Sequence, residues 1–305
     1  MGTTWSVVYG NPQIVSADDL QRRIEAELEA INAALSTYLP DSEISVFNAR
    51  DGAASLSPSA AFKDVFLAAN EVAMQTKGAY DITVGPLVDL WGFGAPAVGD
   101  RVPEPAAIQA ALERVGRDKL RWEGGALHRE ADVRVDFSSV AKGYAVDRLT
   151  ALLLEAGLQD TLVEIGGELR ATGSRPEGGP WMLAVESPDM SQGRFVEAIA
   201  ASDIAVATSG DYRNYFEIDG IRYSHLVDPR TGYPVEHQLV SVTVLHKECM
   251  FADAYATALI VLGVEAAREL ASALDLAVLF VSRAEDGLEV QYSPAFERYV
   301  SSGPV

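Results

Sequence analysis

Cysteine is all but missing: Cys249 is the only one in 305 residues. That excludes an intramolecular disulfide and any Cys-based zinc site, and a lone cysteine among apolar neighbours reads as packing. Positive charge is also scarce. Lys and Arg number 24 against 44 Asp and Glu, a formal net charge of −20. No basic patch is therefore available to displace counterions from nucleic acid, and a nucleic-acid partner is not expected. A small phosphate ligand held by a metal and a few local donors is still compatible with that balance. No apolar run reaches the roughly 18 residues of a membrane span. The most apolar stretch, 254–264, reads as a buried helix. Gly166-Gly167 lacks the spacing of a dinucleotide fingerprint, and neither a Walker phosphate loop nor a G-x-S-x-G elbow occurs.

What is present is globular material, 48% hydrophobic and 22% charged, long enough to bury a large core. Apolar spacing predicts a helix over 17–35, through Leu20, Ile24, Leu28, Ile31 and Leu35. Further helices are predicted at about 59–76, 139–156, 250–261 and 264–273. Short strands are predicted at 5–9, 120–122, 126–129, 133–136, 161–165, 168–173, 181–186, 195–200 and 204–208. Others follow at 214–218, 222–225, 240–246, 276–281 and 288–292. Residues 38–48 read as a polar loop, and 78–86 as too rich in breakers for a regular element. A Pro/Gly loop at 95–105 is the best candidate for a lobe boundary. Antiparallel-looking strands with helices set apart indicate an α+β chain, read here as a single module.

Three segments carry side chains that a fold alone does not call for. Asp136-Phe137-Ser138-Ser139-Val140-Ala141-Lys142 runs from a strand end into a helix, with either serine placed to cap it. Lys142 then falls in the first helical turn, where the dipole disfavours a cation unless an anion sits between it and the free N–H groups. A solvated lysine without a role is the other reading. Asp253 and Thr257 are four apart on an otherwise apolar helix, so their oxygens share a face. One carboxylate and one hydroxyl suit magnesium, which keeps other positions for water and phosphate. The alternative is that Asp253 caps the helix and Thr257 bonds back to the preceding turn. His225 ends a strand beside Asp228 and Arg230, a place suited either to a general base or to a structural histidine. Two further glycine-containing turns after strands, Glu164 to Glu168 and Thr208 to Tyr212, could let backbone approach a ligand.

In order along the chain, Met1-Gly2-Thr3, Asp41-Ser42-Glu43-Ile44-Ser45, 78–86, 136–147, 164–168, 208–210, 224–232 and 252–257 together resemble the ApbE-type FAD:protein FMN transferases. The resemblance implies a single two-lobed α+β module of antiparallel sheet with flanking helices, with FAD in the crevice between lobes. It implies FAD contacts at Met1, Tyr38, Ala79, Tyr80, Asp81, Asp136, Lys142 and Val227. It implies a magnesium ion held by Asp253, Thr257 and the Ser139 carbonyl, and a hydroxyl-activating histidine at His225. The activity it implies is transfer of FMN from FAD to a Thr or Ser hydroxyl of an acceptor protein, with release of AMP. The acceptor class it implies is a membrane redox subunit. Hydrolysis of FAD to FMN and AMP at the same site is the nearest alternative, and a non-catalytic FAD-binding protein the more distant one. Family members are exported and often lipid-anchored, so the resemblance implies a periplasmic, membrane-anchored lipoprotein whose Met1 lies inside a longer precursor.

Overall fold

A computed structural model describes residues 2–10, 15–94, 99–130, 132–188, 195–212 and 214–300. The chain runs β1 (Trp5–Tyr9), α1 (Ala17–Leu35), α2 (Glu43–Asn48), β2 (Ala54–Leu56), α3 (Ala60–Gln75), α4 (Gly85–Leu90), α5 (Pro105–Leu112), β3 (Leu120–Glu123) and β4 (Ala126–Arg129). It continues with α6 (Ala141–Glu155), β5 (Thr161–Ile165), β6 (Glu168–Thr172), β7 (Trp181–Glu186), β8 (Phe195–Ala201), β9 (Ile204–Gly210), β10 (Tyr215–Ile218) and β11 (Ile221–Ser224). It ends with β12 (Leu239–His246), α7 (Cys249–Leu262), α8 (Val264–Ala273), β13 (Ala277–Ala284) and β14 (Gly287–Tyr292). The α+β class is as expected. Packing divides the chain into two compact units.

The first unit comprises Met1–Glu29, Lys142–Tyr212 and His237–Val305. Its frame is a seven-stranded antiparallel sheet in the order β1-β5-β6-β9-β12-β13-β14. Leu239 to Leu245 of β12 are buried without alternation, because both faces of the sheet's centre are covered. The β7–β8 hairpin contributes Trp181, Leu183, Val185 and Ile199 to one cluster with Val206, Val240, Leu279 and Val281 of the sheet. Helix α7 packs on β6, β9 and β12. Its composition, CMFADAYATALIVL, is apolar on nearly every side, which suits a helix with little exposed face.

Helices α6 and α7 meet closely and cap one another. The Asp147 carboxylate of α6 accepts from the backbone N–H groups of Cys249 and Met250, at 2.9 and 3.0 Å. The Asp253 carboxylate of α7 accepts from the N–H of Gly143 in the first turn of α6, at 3.0 Å. Each helix thus satisfies N-terminal donors that the other cannot bond internally. A Cβ at Gly143 would lie 2.4 Å from the Cys249 carbonyl oxygen and 2.7 Å from Met250 Cα, so only glycine permits this approach.

The second unit, Ala30–Ala141 with Arg213–Glu236, holds a small sheet in the order β2-β4-β3 and the separate β10–β11 hairpin. One of its clusters joins Leu87, Trp91, Ile108, Phe216 and Val227. Trp91 is fully buried and donates its indole N–H to the Gly232 carbonyl at 2.9 Å.

Four local expectations are corrected. Residues 38–48 contain α2, capped by Ser42, whose hydroxyl accepts from the Ser45 N–H. Helix α4 begins at Gly85, inside the breaker-rich segment, with Pro86 where its missing N–H costs nothing. Residues 133–136 form no strand. Instead the Asn48 amide donates to the Val135 carbonyl and accepts from its N–H, both at 2.8 Å, doing a neighbouring strand's work with one side chain. Of the expected turn over 208–212, residues 208–210 are the last part of β9, and only Asp211 and Tyr212 bend after it.

Gly143→Ala tests the helix pair. Alanine gains about 1 kcal/mol of helix propensity, but the new methyl meets backbone that cannot rotate away. The net expectation is a loss of about 2 kcal/mol or more, read as a lower urea midpoint. Unchanged or raised stability would show that the two helices part freely.

Candidate functional site

The chemistry-bearing side chains fall into two groups, one in each unit. In the first unit Lys142, Glu168 and Asp253 form a buried ionic cluster. Lys142 Nζ lies 2.8 Å from Glu168 Oε1 and 3.6 Å from Asp253 Oδ1. The two carboxylate side chains are 4% and 3% exposed, whereas that of Lys142 is 31% exposed. Lys142 is therefore paired with anions, and the solvated-lysine reading fails. Burial works against its charge, yet Asp253 and Glu168 hold its pKa above the ordinary lysine value. Burial pushes the Glu168 carboxyl up, against the pull of the Lys142 ammonium. Glu168 Oε2 is shielded from solvent and has no hydrogen-bond partner among the described residues.

Asp253 sits in the second turn of α7 and bonds to α6, so it does not cap its own helix. Thr257, one turn further along, places its hydroxyl 3.0 Å from that of Ser209 on β9. A carboxylate and a hydroxyl from one helix face, with a second hydroxyl alongside, make an all-oxygen donor set. Among the described residues no cluster of three or more His, Cys, Asp or Glu could cage a metal. A cation that takes one carboxylate and keeps several waters, as magnesium does, fits these residues. A zinc-type site does not.

In the second unit, Tyr38, Asp136, Ser138, Asp89, Arg134 and Phe93 help line a cleft of about 320 Å³. Tyr38 is 72% exposed, an unusual setting for an aromatic ring that has nothing to bind. Asp136 accepts from the Ser138 N–H at 2.7 Å and from its hydroxyl, which fixes the turn leading toward α6. Burial pushes the Asp89 carboxyl up, opposed by Arg134, whose guanidinium lies 3.6 Å away. The Ser139 hydroxyl donates to the Tyr80 hydroxyl at 3.0 Å.

Not every expected contact offers a free side chain. Asp81 is committed to the fold: Oδ1 accepts from the N–H and hydroxyl of Thr83, and Oδ2 from the Arg117 N–H. Ala79 and Tyr80 are buried, at 1% and 3% exposure. Val227 lies in the Trp91 cluster. Ligand contact at Ala79 or Val227 would therefore come through backbone. Met1 lies outside the described residues.

His225 follows β11 directly. Its Nδ1 lies 3.0 Å from the Asn214 carbonyl, which can only accept, so Nδ1 carries the proton and Nε2 is the basic nitrogen of the neutral ring. The ring meets Phe93 edge-on at 6.3 Å, and stacked pairs continue from Phe93 to Phe216, Tyr223 and Trp91. The tautomer and orientation that a general base needs are thus built into the second unit.

Sequence reasoning left out Glu168, Ser209, Asn48, Arg134 and Phe93 as functional positions. Glu168 carried one signal, a charged residue opening a strand straight after two glycines. The rest are recognised only by what the fold brings beside them. Asn48→Ala would leave both polar backbone groups of buried Val135 unanswered, at a cost of about 2–4 kcal/mol. The expected readouts are a lower denaturation midpoint and faster hydrogen exchange at the Val135 amide. An unchanged exchange rate would mean that Asn48 does not hold 133–136.

Comparison with known proteins follows the same lines. The ApbE family model matches residues 1–280. The FAD:protein FMN transferase of Vibrio cholerae is 42% identical over 303 residues, covering 99% of this chain and 91% of the relative. That of Haemophilus influenzae is 41% identical over 307 residues, covering 98% and 89%. Among solved structures, the flavin transferase ApbE from Vibrio cholerae superposes with a TM-score of 0.90 at 40% identity, covering 98% of this chain and 96% of that one. The apo form of the Pseudomonas stutzeri flavinyl transferase ApbE gives 0.92 at 39% identity, covering 100% and 95%. A family match over residues 1–280, with relatives about 40% identical over nearly the whole chain, makes this protein a member of the ApbE family.

Proposed function

We propose that this chain is a magnesium-dependent FAD:protein FMN transferase that moves FMN from FAD to a Thr or Ser hydroxyl of an acceptor protein and releases AMP. The observation that carries the reading is the buried Asp253 carboxylate, facing Lys142 and one turn from Thr257 on a helix that is otherwise apolar. Its Oδ2 is answered by the Gly143 N–H, whereas Oδ1 lies 3.6 Å from the Lys142 ammonium, beyond hydrogen-bonding distance, and is the oxygen left for a ligand. Relatives at about 40% identity bearing the transferase name support the same reaction.

In this reading the cleft beside Tyr38, Asp136 and Phe93 takes part of the FAD, a ring system having aromatic walls to lie against. Asp253 and Thr257 would hold magnesium. The third expected ligand, the Ser139 carbonyl, rests on the family resemblance alone. When bound, the ion supplies charge that offsets the negative charge growing on the bridging phosphate oxygen. His225 Nε2 takes the proton from the attacking hydroxyl while Nδ1 stays bonded to the Asn214 carbonyl. The hydroxyl oxygen bonds to the FMN-side phosphorus, the bond to the bridging oxygen breaks, and AMP leaves with that oxygen. Export as a lipid-anchored periplasmic protein acting on a membrane redox subunit belongs to the same proposal. Fractionation of cells that express the protein from its own gene tests it.

Asp253→Asn keeps an acceptor for the Gly143 N–H but removes the charge. Transfer should fall by about 10²-fold or more with little change in melting temperature. Near-normal turnover in millimolar Mg²⁺ would overturn the metal assignment.

His225→Ala addresses the transfer step. The assay is incubation with FAD, Mg²⁺ and a peptide bearing an acceptor Thr, read by mass spectrometry for an FMN adduct against free FMN. Wild type should give the adduct; free FMN alone would mark the protein as a hydrolase. The variant should retain FAD binding and lose about 10²–10⁴-fold in single-turnover transfer. Transfer within about twofold of wild type, some 0.4 kcal/mol in barrier, would end the general-base reading.

A further inference from the structure

Glu168 is used by nothing described so far, yet it is the nearer partner of Lys142. It opens β6 immediately after the Gly166-Gly167 turn, where both glycines have positive φ, +60° and +102°. The turn is pinned on either side. Ile165 pairs with Glu168 across the β5–β6 ladder, and the Gly167 N–H donates to Glu164 at 2.8 Å. With its backbone in a ladder and its side chain 4% exposed, Glu168 has little room to move. Lys142 is the opposite case: four rotatable bonds, partial exposure, and a choice of two carboxylates.

The distances record which carboxylate wins. Glu168 holds the ammonium at 2.8 Å, a full ion-paired hydrogen bond, and leaves it 3.6 Å from Asp253 Oδ1, beyond hydrogen-bonding reach. Asp253 Oδ2 is already taken by the Gly143 N–H, so Oδ1 is the oxygen left for a further partner. We propose that Glu168 is a positioning residue that holds the Lys142 ammonium off Asp253 and so keeps Asp253 Oδ1 available to the divalent cation. Remove it, and the nearest anion for the ammonium is Asp253 itself. The lysine then becomes an internal competitor for the metal's only side-chain carboxylate. The orphaned Glu168 Oε2 fits this assignment, because the carboxylate charge is answered by the one ammonium and not shared among several donors. The inference rests on the magnesium reading above and adds to it a residue that would not touch the metal.

The test is a double-mutant cycle read by metal affinity, not by turnover. Mg²⁺ is titrated calorimetrically into the full chain saturated with ADP, which supplies a pyrophosphate but no flavin to transfer. Glu168→Gln should weaken Mg²⁺ binding tenfold or more, and Lys142→Met should bind at least as tightly as wild type. The double variant should match Lys142→Met within twofold, because Glu168 has no task once the ammonium is gone. If the two effects simply add, or if the double variant binds as weakly as Glu168→Gln, the inference is overturned; the latter outcome would make Glu168 a ligand in its own right. Should Glu168→Gln fail to fold, Glu168→Asp, one methylene shorter, takes its place, with a loss of at least threefold that Lys142→Met abolishes. Wild type without Mg²⁺ uptake would overturn the magnesium reading and this inference with it. Uptake by wild type with additive variants overturns the inference alone.

Discussion

The reciprocal capping of α6 and α7 is the constraint on which the ionic cluster depends. Two helix N-termini brought together would present unbonded N–H groups and two positive dipole ends to one another, an arrangement that repels. Asp147 and Asp253 turn it into an attraction, each carboxylate lying on the opposite helix's first turn. Gly143 lets the backbones close to the distance at which the carboxylates reach. The Asp147 carboxylate also meets Arg170 of β6, which ties the helix pair to the sheet. Asp253 is thereby fixed to within one oxygen of a rigid frame before any ligand arrives, which is the kind of preorganisation that catalytic electrostatics requires.

The second unit reaches the same end by other means. His225 has its Nδ1 held by a backbone carbonyl and its ring set against the edge of Phe93. A carbonyl fixes the tautomer without adding a charge. The ring is thereby held in a fixed orientation. Stacked aromatic pairs running back to fully buried Trp91 carry that orientation into the core.

Much of this was legible in the sequence, for reasons that differ by element. Helices α1, α7 and α8 are long, strongly patterned or bounded by glycine, and their predicted limits fall within a residue of those observed. Lys142 and Asp253 stood out because each breaks a local rule, one a cation in a helix's first turn, the other a carboxylate on an apolar face. What failed was whatever a distant partner decides. Val133 and Val135 alternate like a strand, but among the described residues no strand pairs with them, and Asn48 supplies hydrogen bonds from 87 residues away. Glu168 reads locally as an ordinary charged turn residue. Only the pairing of β5 with β6 buries it, and only the packing of α6 brings it a lysine.

Charge bookkeeping joins the cluster to the proposed chemistry. The chain carries −20 overall, and the cluster itself, two carboxyl groups around one ammonium, has no net positive charge. Each phosphate of an FAD pyrophosphate is anionic as well. Without a cation, the substrate would approach a site with no net positive charge inside an acidic protein, with Lys142 already paired to Glu168. A divalent ion on Asp253 would add two positive charges to that sum and make the encounter attractive. A magnesium enzyme of this design therefore has no use for a basic surface: attraction for the substrate is supplied only where and when the metal is bound. An acidic exterior then costs the reaction little, since beyond roughly 8–10 Å in physiological salt the distant carboxylates are largely screened.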